Sequence, residues 1–392
     1  MANVLTKLSG YILTPQGFLL GDISASNGRI LNISGTPVDD AAVRDAAHTN
    51  HQPIILPGFI DCHVHGAGGY DIMDGADACM KIARMHKKHG TTAMLATTMT
   101  APMADLLTAF EGLQQYANQN NKVSANDDSD SESDQGVAVG SAILGVHLEG
   151  PYINAEKLGA QPKFSRPFSI TELNQLQQLM PIRLLTLAPE VAGNLAAIVG
   201  LTRAGFKVQL GHSTASFGQT VEALANGATG FTHLFNAMSG LHHREPGMVG
   251  AALAHGTYAE IIPDLLHVHP GAIQVAMRCL PKLFCVTDST SAAGMPDGDY
   301  RLGRQVVHKC LGGVRLADGT LAGSCLTMDQ AFTNLVDALG LTLQQASRYV
   351  STHAAQYLGL SDRGQIIKGY FADIVVMDAD LRIRDVYVQG QS

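Results

Sequence analysis

The chain has 392 residues, which is too long for one compact sandwich and suits a large barrel with a small appendage. Hydrophobic residues make up 46% of it and charged residues 15%, as in ordinary soluble globular proteins. The net charge of −8 leaves no basic field to neutralise phosphates, and this argues against nucleic acid as a partner.

The six cysteines are scattered without any CxxC spacing, so neither a zinc knuckle nor a disulfide framework is indicated. A reducing, cytoplasmic setting fits this pattern best. The opening MANVLTKLSG lacks the regions of a signal peptide, and no apolar run approaches the length of a membrane span. We therefore expect a soluble, cytoplasmic protein without a membrane partner.

The two ends of the chain predict short strands separated by turns. An Asn-Gly pair at positions 27–28, between two apolar runs, is a hairpin signal. Neither end shows a helical pattern. Because short strands alone could not bury a core, we expect residues 1–57 and 359–392 to form one small β-sandwich domain. The catalytic domain would then span residues 58–358.

The run from Ile54 to Gly66 predicts a buried strand that stops at an open, glycine-rich loop. Side chains alternate along a strand, so Asp61, His63 and His65 share one face. Two imidazoles on one face at the carboxyl end of a strand form a metal-ligand pair. The alternative is two histidines beside a turn.

Strands and helices alternate through the middle of the chain. After the opening strand, further buried strands are predicted at residues 91–98, 142–149, 182–187, 206–212, 229–233, 259–262 and 283–288. Eight strands alternating with helices over roughly 300 residues predict an α/β fold with a (β/α)8 barrel of the TIM type. A doubly wound sheet is the alternative, disfavoured because no GxGxxG motif follows the first strand.

Residues 118–135 break the alternation. They are acidic, rich in serine and without apolar anchors, so they cannot offset their chain entropy by burial, and a flexible loop is expected. Calcium binding is disfavoured, because the segment lacks the glycine and the terminal glutamate of an EF-hand loop.

Metal-type side chains occupy the carboxyl ends of the predicted strands, where barrel enzymes place their chemistry. They are His63, His65, Glu149, His212, His233 and Asp288. A lone histidine is more often structural than a ligand, but so many on one rim is hard to attribute to chance. Imidazole and carboxylate ligands suit Zn²⁺, and also Fe²⁺ or other first-row divalent ions.

Several motifs resemble those of a known family over essentially the whole chain. They are the segments Pro57–Gly66, His147–Tyr152, Gly211–Ser213, Thr232–Met238, His243–Gly247, Val286–Asp288 and Leu321–Ser324. The set is similar to the signatures of N-acetylglucosamine-6-phosphate deacetylases in the amidohydrolase superfamily. The resemblance implies hydrolysis of the acetamide of N-acetylglucosamine 6-phosphate, in amino-sugar catabolism.

The resemblance also implies roles for individual residues. Glu149, His212 and His233 would hold one divalent metal, His63 and His65 a second, and Asp288 would be the catalytic acid and base. Some family members use a single metal. The implied substrate-binding residues are Ala160, Gln161, Asn236, Ala237, Arg244, Asp264, His267, Leu321, Ala322 and Gly323.

Three further expectations follow from the resemblance. In the family the arginine at position 244 reaches across from a neighbouring subunit, which implies a homodimer. Gln161 stands where the family has a histidine that helps to polarise the substrate carbonyl, so a positive charge is missing there. Leu265 replaces a glycine, which changes the expected shape of that loop.

Three alternatives remain open at the level of sequence. One is N-acetylgalactosamine-6-phosphate deacetylase, which differs only in the stereochemistry of sugar C4. A second is a cyclic-amide hydrolase of the dihydroorotase type, disfavoured because residues 182–187 contain no lysine to bridge two metals. The third is a scaffold that has kept the barrel after losing catalysis, disfavoured because every ligand is present.

Overall fold

The structure is a computed structural model that describes residues 5–125 and 140–392. Its β-strands are, in chain order, β1 (Lys7–Thr14), β2 (Gly17–Ser26), β3 (Arg29–Val38), β4 (Ile54–Pro57), β5 (Phe59–Val64), β6 (Gly66–Ala67), β7 (Tyr70–Asp71), β8 (Thr91–Thr98), β9 (Ala142–Glu149), β10 (Ile182–Leu187), β11 (Lys207–Leu210), β12 (Gly230–Phe231), β13 (Tyr258–Ile261), β14 (Lys282–Cys285), β15 (Gly298–Leu302), β16 (Gln305–Cys310), β17 (Gly313–Arg315), β18 (Ile374–Met377) and β19 (Ile383–Tyr387).

The α-helices of the described residues are α1 (Asp40–Asn50), α2 (Ala76–Lys88), α3 (Met103–Ala125), α4 (Ile170–Leu179), α5 (Asn194–Arg203), α6 (Phe217–Ala225), α7 (Gly247–His255), α8 (Pro270–Cys279), α9 (Met328–Thr333), α10 (Leu343–Ser347) and α11 (His353–Leu358). Short 3-10 turns cover Ile72–Asp74 and Ala155–Lys157, and π-helical turns cover Asn334–Ala338 and Arg348–Thr352. None of these helices is long and apolar enough to cross a membrane.

Strands from both ends of the chain form one six-stranded mixed sheet, in the order β19-β18-β4-β1-β2-β3. The hairpin between β2 and β3 turns at Asn27 and Gly28, which both have positive φ, as the sequence signal predicts. Pairing of β18 with β4 joins the two ends directly. The prediction that the termini build a common β-structure is confirmed.

Helix α1 contradicts the expectation that neither terminus contains a helix. It begins after Asp39, whose side chain accepts a hydrogen bond from the backbone N–H of Ala41. Only Val43 and Ala47 are buried along it. Two small apolar residues make too narrow a stripe to be recognised as a helical period in the sequence.

Eight parallel strands follow the barrel order, and the predicted fold class is confirmed. Strands β5, β8, β9, β10, β11 and β12 pair as consecutive neighbours, and β13 pairs with β14. The backbone N–H of Leu234 donates to the carbonyl of Glu260 (2.9 Å), which joins the β12 end to β13. A parallel bridge between Val64 and Ser289 closes the ring between the last strand and the first.

The run from Ile54 to Gly66 is two main strands rather than the single strand expected. Strand β4 belongs to the terminal sheet and β5 to the barrel, and the strand is interrupted at Gly58. A Cβ atom at Gly58 would overlap the Thr92 side chain, so the close approach of the two segments requires glycine there.

The predicted acidic loop at 118–135 is only partly within the described residues. Its first part, residues 118–125, belongs to α3 and is therefore helical rather than the loop expected there. The remainder, residues 126–135, lies outside the described residues. The helix extends through a polar stretch that the sequence reading assigned to the loop because it lacks apolar anchors.

Candidate active site

The structure brings the six side chains predicted at the strand ends into one buried cluster. Glu149, at the end of β9, lies between two sets of imidazoles. Its Oε1 is 3.1 Å from His212 Nε2 and 3.0 Å from His233 Nε2, and these two nitrogens are 3.0 Å apart. The three atoms therefore form a nearly equilateral triangle.

The other oxygen of Glu149 faces the second set. His65 Nε2 lies 3.1 Å and His63 Nε2 lies 3.4 Å from Glu149 Oε2. The Oδ1 atom of Asp288 is 3.4 Å from each of these two nitrogens. One carboxylate thus contacts both imidazole pairs, and Asp288 borders the pair formed by His63 and His65.

Unusual backbone conformations aim three of these side chains into the cluster. His212, His233 and Asp288 have φ values of 47°, 29° and 49°, a region that non-glycine residues rarely adopt. Each of these residues lies a few positions after the end of a barrel strand. Such conformations cost on the order of 1–3 kcal/mol each and persist where surrounding contacts hold them.

Asp61 does not join the cluster, although it was predicted to share a face with His63. It is fully buried, and burial raises its pKa to about 7. The Thr287 hydroxyl donates to Asp61 Oδ2 (2.6 Å), and the Thr287 backbone N–H donates to its Oδ1 (3.2 Å). Asp61 therefore fixes the end of the eighth strand, immediately before Asp288.

The donor geometry fits a divalent cation. Three ligands at about 2.0–2.1 Å from a tetrahedral zinc lie about 3.3 Å from one another, close to the triangle at Glu149. The Nδ1–H of His212 donates to the carbonyl of Lys157 (2.7 Å), so the Nε2 lone pair faces Glu149. Two imidazole nitrogens that face a carboxylate at such distances need a cation or protons between them.

Electrostatics in the cluster require positive charge. Burial alone would lower the pKa of His65, but the carboxylates of Asp288 and Glu149 outweigh it and raise that pKa to about 9. Burial would raise the pKa of Glu149, but the imidazoles around it, His63 foremost, hold it well below its usual range. A bound cation would supply this charge in place of protons.

His147 also borders the cluster and was not identified from the sequence. Its ring meets the His63 ring edge-on at 4.5 Å. Burial and the charge of His63 hold its pKa well below the usual range, so it is neutral, and its Nε2–H donates to Thr186 Oγ1 (2.7 Å). Its spacing in the sequence could have indicated this position. His147 and Glu149 are two residues apart on one strand and therefore share a face, as His63 and His65 do.

Glu260 is the second residue that the sequence analysis missed. It lies within β13, fully buried, with Oε2 2.9 Å from His63 Nδ1. Ile261 and Ile262 follow it, so it does not stand at the carboxyl end of its strand, where the search for ligands was made. The signal was a single charged residue inside an otherwise apolar strand.

The Gln161 side chain points at Glu149. Its Nε2 donates to Glu149 Oε2 (2.6 Å), and its Oε1 accepts from the backbone N–H of Thr100 (2.7 Å). The neighbouring Ala160 carbonyl accepts from Gln305 Nε2. The amide of Gln161 therefore lies beside the shared carboxylate, without the positive charge that a histidine could carry.

Some of the predicted substrate-binding residues adjoin the cluster through the backbone. Asn236 Nδ2 donates to the His233 carbonyl (3.2 Å), and the Ala237 carbonyl accepts from the backbone N–H of Ser213 (3.0 Å). The backbone N–H of Ser324 donates to the Asp288 carbonyl (2.7 Å), which brings the segment Leu321, Ala322 and Gly323 beside the catalytic candidate.

Asp264 and His267 form a pair of their own after β13. His267 Nδ1 lies 2.6 Å from Asp264 Oδ2, and the side chains of both residues are largely buried. Leu265 between them has a φ of 65°. The loop thus keeps a left-handed conformation that favours glycine, even though a leucine occupies the position.

Arg244 is not brought into the cluster. It is exposed, and in the described residues its Nη1 contacts the neighbouring His243 Nε2 (2.8 Å). Leu241, close by in the same loop, is also exposed.

Comparison with known proteins agrees with this fold and site. The model of the amidohydrolase family matches residues 54–392. An N-acetylgalactosamine-6-phosphate deacetylase of Escherichia coli O157:H7 is 37% identical over 97% of both chains. An N-acetylglucosamine-6-phosphate deacetylase of Vibrio furnissii is 40% identical, over 86% of this chain and 82% of its own.

A solved structure of a relative is also similar to this chain in its fold. It is a mutant of the Mycobacterium smegmatis N-acetyl-D-glucosamine-6-phosphate deacetylase in complex with N-acetyl-D-glucosamine-6-phosphate, with a TM-score of 0.83, 31% identity and 99% of both chains covered. The chain therefore belongs to the amidohydrolase family and, within it, to the N-acetylglucosamine-6-phosphate deacetylase family.

The shared position of Glu149 leads to a test by metal analysis. Glu149→Gln should lose metal from both imidazole sets, because the amide removes the one negative charge that contacts all four histidines. Metal content of purified, reconstituted protein, measured by plasma mass spectrometry, should fall to a small fraction of the wild-type value. Glu111→Gln, at an exposed site on α3, serves as the control. Wild-type metal content in Glu149→Gln would contradict this assignment.

Proposed function

We propose that the chain removes the acetyl group from N-acetylglucosamine 6-phosphate, giving glucosamine 6-phosphate and acetate in amino-sugar catabolism. The observation that carries the proposal is the cluster in which Glu149 contacts both imidazole pairs and Asp288 Oδ1 lies 3.4 Å from two of them. Relatives at 37–40% identity over most of this chain are named as amino-sugar-6-phosphate deacetylases.

We propose that Glu149, His212 and His233 hold one divalent metal and that His63 and His65 hold a second. Nitrogen and carboxylate donors suit Zn²⁺ best, with Fe²⁺ or another first-row ion as the alternative. Such an ion supplies Lewis acidity that makes water acidic enough to yield hydroxide near neutral pH.

Asp288 acts as the base and then as the acid in this proposal. Burial would raise its pKa, but positive charge at His63 and His65 outweighs burial and lowers the pKa to about 2, so the carboxylate is ionised. A bound cation would supply that charge in place of protons on the two imidazoles. It accepts the proton of the attacking water and delivers it to the departing amine. The Gln161 amide can donate an N–H toward the developing oxyanion.

Substrate binding falls to the remaining residues of the family pattern. Arg244 provides a planar guanidinium that can bind a phosphate through two hydrogen bonds. The sugar and its acetamide would be surrounded by Ala160, Gln161, Asn236, Ala237, Asp264, His267, Leu321, Ala322 and Gly323.

Because all six cysteines are free in the structure, we also assign the reaction to the reducing cytoplasm.

N-acetylgalactosamine 6-phosphate is the second candidate substrate. The observation in its favour is that a relative with that specificity matches 97% of this chain at 37% identity. A cyclic-amide hydrolase of the dihydroorotase type has no comparable support, because β10 carries no lysine.

The activity is tested by measuring acetate release from the two epimeric 6-phosphates. The protein should first be stripped of metal and then reconstituted with Zn²⁺ or Fe²⁺. We expect release from both sugars to require metal, with a higher kcat/KM for the gluco epimer. If neither sugar releases acetate with Zn²⁺ or with Fe²⁺, the proposed function is overturned. A higher kcat/KM for the galacto epimer would support the second candidate instead.

Substitution of Asp288 tests its role separately from metal binding. Asp288→Asn should lower kcat by at least about 100-fold, because general acid–base catalysis contributes roughly 10²–10⁴-fold. Metal content should stay near that of the wild type, since Glu149 and the histidines remain. Turnover at the wild-type rate would remove Asp288 from the mechanism.

We also propose that the protein is a homodimer, which the exposed position of Arg244 supports because its guanidinium is accessible to a neighbouring subunit. Sedimentation velocity should show a dimer at micromolar concentration. In mixtures of Arg244→Ala with the otherwise inactive Asp288→Asn, subunit exchange should restore activity in part. A monomer that is fully active would exclude this arrangement.

A further inference from the structure

Glu260 lies at a position where it contacts ligand residues from two distant strands. It belongs to β13, and its residue is fully buried. One of its oxygens, Oε2, is 2.9 Å from Nδ1 of His63, which lies in β5. The same oxygen is 3.2 Å from the backbone nitrogen of His233, which follows β12. The other oxygen, Oε1, has no hydrogen-bond partner in the described structure.

The contact with His63 fixes the orientation of that imidazole. Since a carboxylate oxygen only accepts, Nδ1 must carry the proton, and the Nε2 lone pair faces His65, Glu149 and Asp288. A carboxylate that accepts from the far nitrogen of a metal-binding imidazole sets its tautomer and raises its basicity.

The contact with His233 acts on the backbone. His233 has a φ of 29°, a conformation that costs on the order of 1–3 kcal/mol and needs outside support. Its N–H donates to Glu260 Oε2, and the next N–H, of Leu234, donates to the Glu260 carbonyl (2.9 Å). These two bonds hold the strand end that carries His233 Nε2 to within 3.0 Å of Glu149.

We propose that Glu260 is a positioning residue that couples the two ligand sets, one formed by His63 and His65 and the other by Glu149, His212 and His233. It does so because one oxygen restrains a side chain of the first set and the backbone of the second. This inference rests on the proposed metal-dependent function and deepens it. It requires that the occupancies of the two metal positions depend on each other through residue 260.

Glu260 is not itself a ligand of a third ion with His63 and His147, although the three side chains come close together. His63 uses its Nδ1–H to donate to Glu260, so that nitrogen has no lone pair for a metal. His147 directs its Nε2–H at Thr186 instead. A third ion would raise the metal content of the wild type above two per chain, and that result would contradict the positioning role.

Two substitutions separate the effect of the hydrogen bonds that Glu260 accepts from the effect of its negative charge. Glu260→Ala removes both hydrogen bonds, and Glu260→Gln keeps an acceptor oxygen for both donors but removes the charge. Asp71→Asn is the matched control, because Asp71 is a buried carboxylate that accepts from the backbone N–H groups of Met73 and Gly303 and from no imidazole.

The readout is metal affinity, measured by competition with a chelator, together with the visible spectrum of the Co²⁺-substituted protein. Glu260→Ala should weaken metal affinity by about 10- to 100-fold, the usual effect of losing a partner behind a ligand. Glu260→Gln should weaken it by about 10-fold through lower imidazole basicity, with an altered Co²⁺ spectrum. Asp71→Asn should bind metal like the wild type.

Coupling is tested in a background where one ligand set is disabled. His65→Ala leaves the triangle of Glu149, His212 and His233 intact. Adding Glu260→Ala to it should still weaken binding of the remaining ion by at least 10-fold, because His233 loses its backbone restraint. If the double variant binds the remaining ion as tightly as His65→Ala alone, the coupling is refuted. If Glu260→Ala and Glu260→Gln both bind metal with wild-type affinity, the positioning role is refuted altogether.

These results are distinguishable from failure of the proposed function. If the wild type binds no metal and releases no acetate, the function itself is wrong. If the wild type binds metal and deacetylates its substrate while the Glu260 variants bind metal as tightly, only the role of Glu260 is wrong.

Discussion

The structure depends on one buried carboxylate that is shared by two pairs of imidazoles. Glu149 contacts His212 and His233 through one oxygen and His63 and His65 through the other. A buried carboxylate is costly unless positive charge compensates it, so the cluster is stable only with a cation or with protonated histidines. This need for positive charge makes the cluster suited to a divalent metal.

The barrel satisfies this constraint by bringing strand ends together. The side chains of the cluster come from residues far apart in the chain, and only the ring of parallel strands places them on one rim. Left-handed backbone at His212, His233 and Asp288 then turns each side chain inward. Closure of the ring at Val64 and Ser289 brings the last of these residues next to the first pair.

Local patterns in the sequence were sufficient for the barrel strands and for the residues at their ends. The bounds of β8, β9 and β10 match the predicted runs residue for residue, because these strands are mostly buried and therefore largely apolar in sequence. Strand β12 spans only Gly230–Phe231, since the chain leaves strand geometry before His233.

What the sequence could not show are contacts between distant elements. The partner of His63 is Glu260, on a strand whose pairing with the rest of the barrel is invisible in a linear sequence. Helix α1 escaped recognition because it buries only Val43 and Ala47, and the break at Gly58 escaped because both sides of it are buried and apolar. These three features depend on tertiary packing and leave no clear period of apolar residues in the sequence.

The most direct test of the shared-carboxylate site is anomalous X-ray diffraction from crystals of the zinc-reconstituted protein, recorded on both sides of the zinc absorption edge. We predict an anomalous peak about 2.0–2.2 Å from Glu149 Oε1 and from the Nε2 atoms of His212 and His233. Crystals that show no peak among these three atoms, or a peak only at other residues, would contradict it.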